Sequence, residues 1–270
     1  ATDCASCSAA LRAVAAASDE RLEALGGLWD PWGGTPPEGA SAPAAVSEAP
    51  TDVSAFVAWL ARTATRDLEI AADTNRTSAD EARTLSAAAL GRYASAVTIA
   101  QAYGIDLDAG LDQALLVNDR VNAASRQGVQ TWSIDLFDAP GISLSFAPSG
   151  KDLASSQELS SAVATWDCTA STLPQAQVSA GTLSDAYAVS GELLTRADTA
   201  LRAGAADTRT PRCTLGFLDA PSLASNLLAA DSAMLASNSS DVRAAGASAA
   251  LADIQQWAPR TSLPALIGTR

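Results

Sequence analysis

Apolar residues recur three and four positions apart through most of this chain, and that spacing is typical of amphipathic α-helices. The clearest example starts with Ser78 and Glu81, which form a capping-box pattern, and ends at Gly104. Alanine makes up about a quarter of the residues and aromatic residues are few, which favours closely packed helices. The sequence therefore predicts an all-α, up-down bundle of about six to eight helices.

Other segments carry the same spacing. The first such segment forms one stripe of an amphipathic helix, which we expect to face the core. The stripe consists of Leu11, Val14, Ser18, Leu22, Leu25 and Trp29. Further helices are predicted over 52–68, 107–128, 151–173, 182–206, 221–228 and 241–257. Within 182–206, oppositely charged residues one helical turn apart predict two weak ion pairs, Glu192–Arg196 and Asp198–Arg202.

Three segments depart from helical spacing. A stretch rich in proline and glycine over 30–50 predicts a surface loop. Over 131–147, apolar and polar residues alternate on both sides of the turn sequence DAPG, which predicts a small β-hairpin insertion. Prolines predict an irregular tail over 258–270. We expect all three to belong to a single helical domain over residues 1–270.

The charge of the chain limits its partners. The formal net charge is -13 and the pI is near 4.3, so an acidic surface would repel phosphate backbones and anionic lipids. No apolar run approaches the roughly 20 residues of a membrane-spanning helix. We therefore expect no nucleic-acid partner and no direct transmembrane segment.

The four cysteines predict two disulfides. Cys4 and Cys7 lie one helical turn apart, and we expect each to bridge to Cys168 or Cys213 and so tether the N-terminus. The alternative is Cys4–Cys7 with Cys168–Cys213. The chain has no histidine to complete a zinc site, and no strand precedes the CxxC as a thioredoxin-like motif requires.

Disulfides favour an oxidising compartment. The chain begins at Ala1 rather than at methionine, and we interpret it as a mature form whose targeting segment has been removed. We expect an exported protein of the cell envelope or extracellular space, associated with a membrane through a partner. Lipidation at Cys4 stays open as an alternative.

Few catalytic arrangements fit this sequence. Without histidine, neither a Ser-His-Asp triad nor a di-iron site built on Glu-x-x-His can form. The phosphate-binding and dinucleotide-binding glycine motifs are also missing. We expect no enzyme activity, cofactor or metal. Glu20 and Glu23 lie three positions apart, and Glu20 could face a partner such as Glu192 for carboxylate chemistry. Glu20 and Glu23 are more readily interpreted as solvated charges beside Arg21.

Candidate partner-binding residues lie outside the helical stripes. Trp29 and Trp32 flank the start of the loop, where aromatic side chains can anchor a partner or fold back onto the core. The tail residues Leu263, Leu266 and Ile267 have no helical period, so they must cover this core or contact another chain.

The order of these segments resembles a known family. The sequence EALGGLWDPWGG leads into a Pro/Ala-rich loop, two Ala-rich helices follow, and the chain closes with DVRAAGASAALADIQQWAPRTSLPALIG. This organisation is similar to that of an actinobacterial exported family of unknown function, often lipoprotein-anchored, with a ferritin-like helical bundle. The resemblance implies a ferritin-like envelope protein and no established activity.

Two functional hypotheses follow. The first is a non-catalytic envelope protein that acts as an accessory subunit or scaffold by binding another envelope protein or a membrane complex. The alternative is a small-ligand-binding module with a pocket between helices. A third hypothesis, an enzyme that uses only carboxylates, requires a paired and accessible Asp or Glu site.

Overall fold

The structure, a computed structural model, describes residues 4–27, 38, 49–107, 146, 148, 153–174, 183–210, 213 and 219–268. These residues form seven α-helices and no β-strand. The helices are α1 (Ala5–Ala24), α2 (Val53–Ala72), α3 (Ala79–Tyr103), α4 (Gln157–Thr172), α5 (Leu183–Ala203), α6 (Ala220–Met234) and α7 (Ser240–Trp257), with a short 3₁₀ turn at Leu153–Ser155. The prediction of an all-α helical bundle is confirmed.

The helix boundaries follow the capping residues of the sequence. Asp52 caps α2 by accepting a hydrogen bond from the backbone N–H of Ala55 at 2.9 Å. Ser78 and Glu81 form the predicted capping box at the start of α3. Gly104 ends α3 in the left-handed conformation, with φ of 65°. These local signals place the ends of the helices that carry the core.

The helices surround two apolar cores that share α6 and α7. One core lies among α4, α5, α6 and α7 and contains the fully buried Trp166 and Trp257. The other lies among α1, α2, α3 and the opposite faces of α6 and α7. Helix α7 is buried on nearly all sides, as expected for a central helix. Gly246 lets it approach α6, since an added Cβ would lie 2.6 Å from the Cβ of Met234.

Helix α1 is rotated relative to its predicted stripe. Its buried side chains are Cys7, Ala10, Val14 and Arg21. Leu11, Leu22 and Leu25 are exposed, so the prediction that they face the core is wrong. Ala10 and Arg21, each one position before one of these leucines, are buried instead. Helix α1 lies against the alanine-rich helix α3, where the small side chain of Ala10 permits closer approach than leucine does. Arg21 is buried because its guanidinium finds hydrogen-bond acceptors on α3 and on the tail.

The C-terminal tail lies on this chain's own core. Ala265 and Ile267 are buried, and the N–H of Ile267 donates to the carbonyl of Ala87 on α3 at 3.3 Å. The guanidinium of Arg21 on α1 donates to the carbonyl of Ala265 at 3.3 Å. Gly91 on α3 makes this approach sterically feasible, because it presents no side chain to the tail. The described part of the tail, residues 258–268, thus contacts both α1 and α3.

We expect Gly91→Ala to lower the free energy of unfolding by about 1–3 kcal/mol, the usual range for overpacking a core. An added Cβ would lie only 1.8 Å from the carbonyl oxygen of Ala265. Gly191→Ala is the matched control, because Gly191 also lies within a helix but has no atom within 4 Å of an added Cβ. That variant should gain stability by up to about 1 kcal/mol from helix propensity. Urea unfolding of the two variants measures the change in unfolding free energy that each substitution causes. Equal changes would contradict the position of the tail against Gly91.

The disulfides join Cys4 to Cys7 and Cys168 to Cys213. The prediction of two disulfides is confirmed, and the expected bridges from the N-terminus to the C-terminal half are wrong. Cys4 is the N-cap of α1, and Cys7 lies within its first turn, so this bridge closes locally. Cys168 lies in α4, and its bridge encloses the whole of α5. Helix α1 is instead held by its contacts with α3 and the tail.

Several predicted segments lie outside the described residues. These are the loop over 30–50 apart from residues 38, 49 and 50, the helix over 107–128 apart from Leu107, and the hairpin over 131–147 apart from Phe146. Among the helices that the structure describes, none is long and apolar enough to span a membrane.

Candidate functional site

A buried arginine and two aspartates meet in the core of α4–α7. Arg196 on α5 forms a two-pronged ion pair with Asp253 on α7, from Nη1 to Oδ2 at 3.1 Å and from Nη2 to Oδ1 at 2.9 Å. The side chains are only 10% and 5% exposed. A bidentate Arg–carboxylate pair is among the stronger polar contacts in proteins, and this one links α5 directly to α7.

The second aspartate, Asp231 on α6, is completely buried. Its Oδ1 accepts a hydrogen bond from the indole Nε1–H of Trp166 on α4 at 2.8 Å. Its Oδ2 lies 3.8 Å from Nη1 of Arg196 and accepts no hydrogen bond from any described group. Together with Asp253, these side chains bring four helices together, and one carboxylate oxygen has no donor.

Aromatic rings enclose the guanidinium. The Cζ atom of Arg196 lies 5.5 Å from the ring centroid of Trp166 and 5.9 Å from that of Phe146. The two rings meet edge to face, with their centroids 5.4 Å apart. An arginine over an aromatic face gains a cation–π attraction that grows when water is excluded. Trp166 thus contacts both the cation and one of the anions.

Burial raises the pKa of Asp231 well above its ordinary range, because an ionised carboxylate loses its hydration there. The neighbouring Asp253 carboxylate raises the pKa further, while Arg196 and the Trp166 hydrogen bond act in the opposite direction. The first two effects prevail, since the charge of Arg196 is already matched by Asp253.

The chemistry open to this cluster is limited by access. Two carboxylates on neighbouring helices resemble an acid–base pair, but general acid–base catalysis requires a substrate within hydrogen-bond reach. Asp231 is fully enclosed and both oxygens of Asp253 bind Arg196. In this conformation the cluster can hold a proton and orient four helices, and it offers no surface to a substrate.

The cluster was not among the sequence-predicted sites. The four-residue spacing predicts that Arg196 pairs with Glu192 on the same helix. It turns inward to Asp253 and Asp231 instead, with Glu192 only in its electrostatic surroundings. The second predicted ion pair of this helix, Asp198–Arg202, forms at the surface as expected, at 2.6 Å.

A sequence signal for the buried aspartate was nevertheless present. Asp231 continues the apolar stripe of α6 that consists of Ala224, Leu227 and Leu228, at the three- and four-residue spacing of one helical face. A charged residue on such a face must be buried with the rest of the stripe, and buried charges are paired. This spacing predicts a buried, partnered side chain, although it does not identify the partner.

The predicted partner-binding residues have different environments. Trp29 and Trp32 lie outside the described residues. Ile267 is buried in this chain's own core, and Leu263 and Leu266 are half-buried beside it. Ile267 therefore packs within the chain and is not available to a partner in this conformation.

The carboxylate pair suggested by the sequence is not joined by any described contact. Glu20 lines a pocket of about 300 Å³ between α6 and the tail, whereas Glu192 lies near Arg196. Among the described residues, no group of three or more His, Cys, Asp or Glu side chains could hold a metal ion.

Two surface features remain as candidate sites. Leu11, Leu22 and Leu25 are 39%, 39% and 51% exposed, and their spacing places them on one side of α1. A pocket of about 540 Å³ lies beside the Cys168–Cys213 disulfide, and its polar lining includes Asp167 and Asn226.

No protein-family model matches the chain, and no curated protein or solved structure is significantly similar to it, so similarity to known proteins assigns it to no family.

Proposed function

We propose that this protein is a non-catalytic, exported protein of the cell envelope that acts as an accessory subunit or scaffold by binding another protein. The observation that carries the proposal is the exposed leucine face of α1, formed by Leu11, Leu22 and Leu25. Leu22 and Leu25 adjoin one another on this face, and Leu11 lies about three helical turns away. Adjoining exposed leucines mark interaction sites more often than leucines scattered singly. The two disulfides support an oxidising compartment.

The chemistry of the partner follows from the surroundings of this face. The same helix carries the exposed acidic residues Asp19, Glu20 and Glu23, and the whole chain is acidic. A partner should therefore offer an apolar groove with a basic rim, since complementary charges favour encounter and register. We also propose that the chain belongs to the actinobacterial exported family with a ferritin-like bundle. The core formed by the four helices α4–α7 supports this proposal.

Native purification tests the leucine face. The wild-type chain and a Leu22→Ser/Leu25→Ser variant are tagged, expressed in the native envelope and purified without denaturant. Leu194→Ser is the matched control, because Leu194 is similarly exposed, at 48%, but lies on α5. We expect one protein in fixed stoichiometry with the wild type and the control and its loss from the double variant. If all three purify with the same partner, or all three purify alone, the leucine face is not the docking site.

The pocket beside the disulfide supports a second candidate function, the binding of a small polar ligand. Its volume of about 540 Å³ lies within the usual range for ligand sites, and hydroxyl, amide and carboxylate groups line it. Native mass spectrometry of the purified protein distinguishes the two functions. A bound small molecule would favour the pocket, whereas a protein complex without one would favour the leucine face.

A further inference from the structure

The buried cluster contains one cation and two carboxylates. Both oxygens of Asp253 accept hydrogen bonds from Arg196, so this pair is electrically matched. Asp231 receives one hydrogen bond from Trp166, and its Oδ2 is 3.8 Å from Arg196, beyond hydrogen-bond distance. If Asp231 were ionised, the cluster would carry a net negative charge in a site closed to water, which is strongly unfavourable.

We propose that Asp231 is a neutral carboxylic acid at neutral pH, protonated at Oδ2, and that it donates this hydrogen to the carboxylate of Asp253. The proton supplies the partner that Oδ2 otherwise lacks. It also makes the cluster neutral, with one guanidinium and one carboxylate. The site is thus a buried proton-binding site that joins α6 to α7 alongside the Arg196 bridge from α5.

Every helix around Asp231 contributes to this assignment. Helix α4 contributes Trp166, which donates a hydrogen bond and does not titrate. Helix α5 contributes Arg196, with Glu192 in the surroundings of the guanidinium. Helix α7 contributes Asp253, which faces Asp231 and disfavours its ionisation. Arg196 is the single cation among these groups, and Asp253 engages it.

The proton gives stability a defined pH dependence. An unfolded aspartate ionises near pH 3.9, whereas burial raises the pKa of Asp231 in the folded chain. The contribution of the Asp231 proton to the free energy of unfolding is therefore fully present at pH values below the pKa of the unfolded chain. That contribution is lost as the pH rises through the pKa of the folded chain. Between the two values the folded state holds one more proton, so the unfolding equilibrium constant should rise about tenfold per pH unit.

Asp231→Asn tests the proposal because its amide mimics the protonated acid. The amide oxygen can accept the Trp166 hydrogen bond, and the amide nitrogen can donate to Asp253, so the variant should fold. As pH rises above the unfolded pKa of aspartate, the wild type should lose stability relative to Asp231→Asn, by up to about tenfold in the unfolding constant per pH unit. Denaturant unfolding of both proteins at a series of pH values measures this, and parallel pH profiles would overturn the assignment.

Infrared spectroscopy reads the proton directly. At pH 7 the wild type should show the carbonyl stretching band of a protonated carboxyl group, and Asp231→Asn should lack it. In Asp253→Asn the band should also disappear, because Asp231 then becomes the counter-ion of Arg196 and ionises. A wild type without the band at pH 7, or a band that persists in Asp231→Asn, would show that Asp231 does not hold the proton.

Discussion

Arg196→Met should lower the free energy of unfolding by about 3–5 kcal/mol, the usual cost of removing one member of a buried ion pair. Methionine preserves much of the apolar stem of the arginine side chain. It removes the guanidinium whose hydrogen bonds satisfy both oxygens of Asp253. The Asp253 carboxylate would remain in the core without a counter-ion. Equilibrium unfolding in urea at pH 7 measures the loss.

Arg202→Met is the matched control on the same helix. Arg202 pairs with Asp198 at 2.6 Å, but its side chain is 80% exposed, so water replaces the lost contact. The expected change is within about 0.5 kcal/mol. Equal effects of the two substitutions would contradict the buried position of Arg196.

The helix ends were predictable because their signals are local. Ser78 and Glu81 need only each other and the adjacent backbone to begin α3, and Gly104 ends it through its own left-handed conformation. These interactions span three or four residues, so spacing in the sequence contains the necessary information. The all-α class followed from the same signals repeated along the chain.

The orientation of α1 could not be read from hydrophobicity alone. Leu22 is more apolar than Arg21, yet Arg21 is buried and Leu22 is exposed. Arg21 satisfies its hydrogen-bond donors with Ser18, Ser95 and the carbonyl of Ala265. Those acceptors lie on α1, α3 and the tail, so the choice between the two residues depends on tertiary contacts.

The buried cluster was missed for the same reason. Glu192 lies one turn from Arg196 on the same helix, so the sequence already offers this arginine an ion-pair partner. Its actual partners, Asp231 and Asp253, are distant in sequence and become neighbours only when α5, α6 and α7 pack together. The cysteine pairing also required the fold, because four cysteines allow three connectivities.

The Cys168–Cys213 disulfide should contribute far more to stability than Cys4–Cys7. Its cysteines are 45 residues apart, and closing a loop of that length in the unfolded chain is worth about 4 kcal/mol. Cys4 and Cys7 are three residues apart, for which the same relation gives about 1.5 kcal/mol. The longer bridge restricts the unfolded chain across all of α5, whereas the shorter one restricts a single helical turn.

Paired serine substitutions separate the two contributions. Cys168→Ser/Cys213→Ser should lower the unfolding free energy by about 4 kcal/mol, and Cys4→Ser/Cys7→Ser by about 1.5 kcal/mol, as measured by denaturant unfolding without reductant. Each double variant removes one bridge and leaves no unpaired thiol, so the two can be compared directly. Had the N-terminal cysteines been bridged to the C-terminal half, Cys4→Ser/Cys7→Ser would open long loops and cost at least as much as the other variant. A deficit of that size would contradict the local pairing, because only a long loop constrains the unfolded chain so strongly.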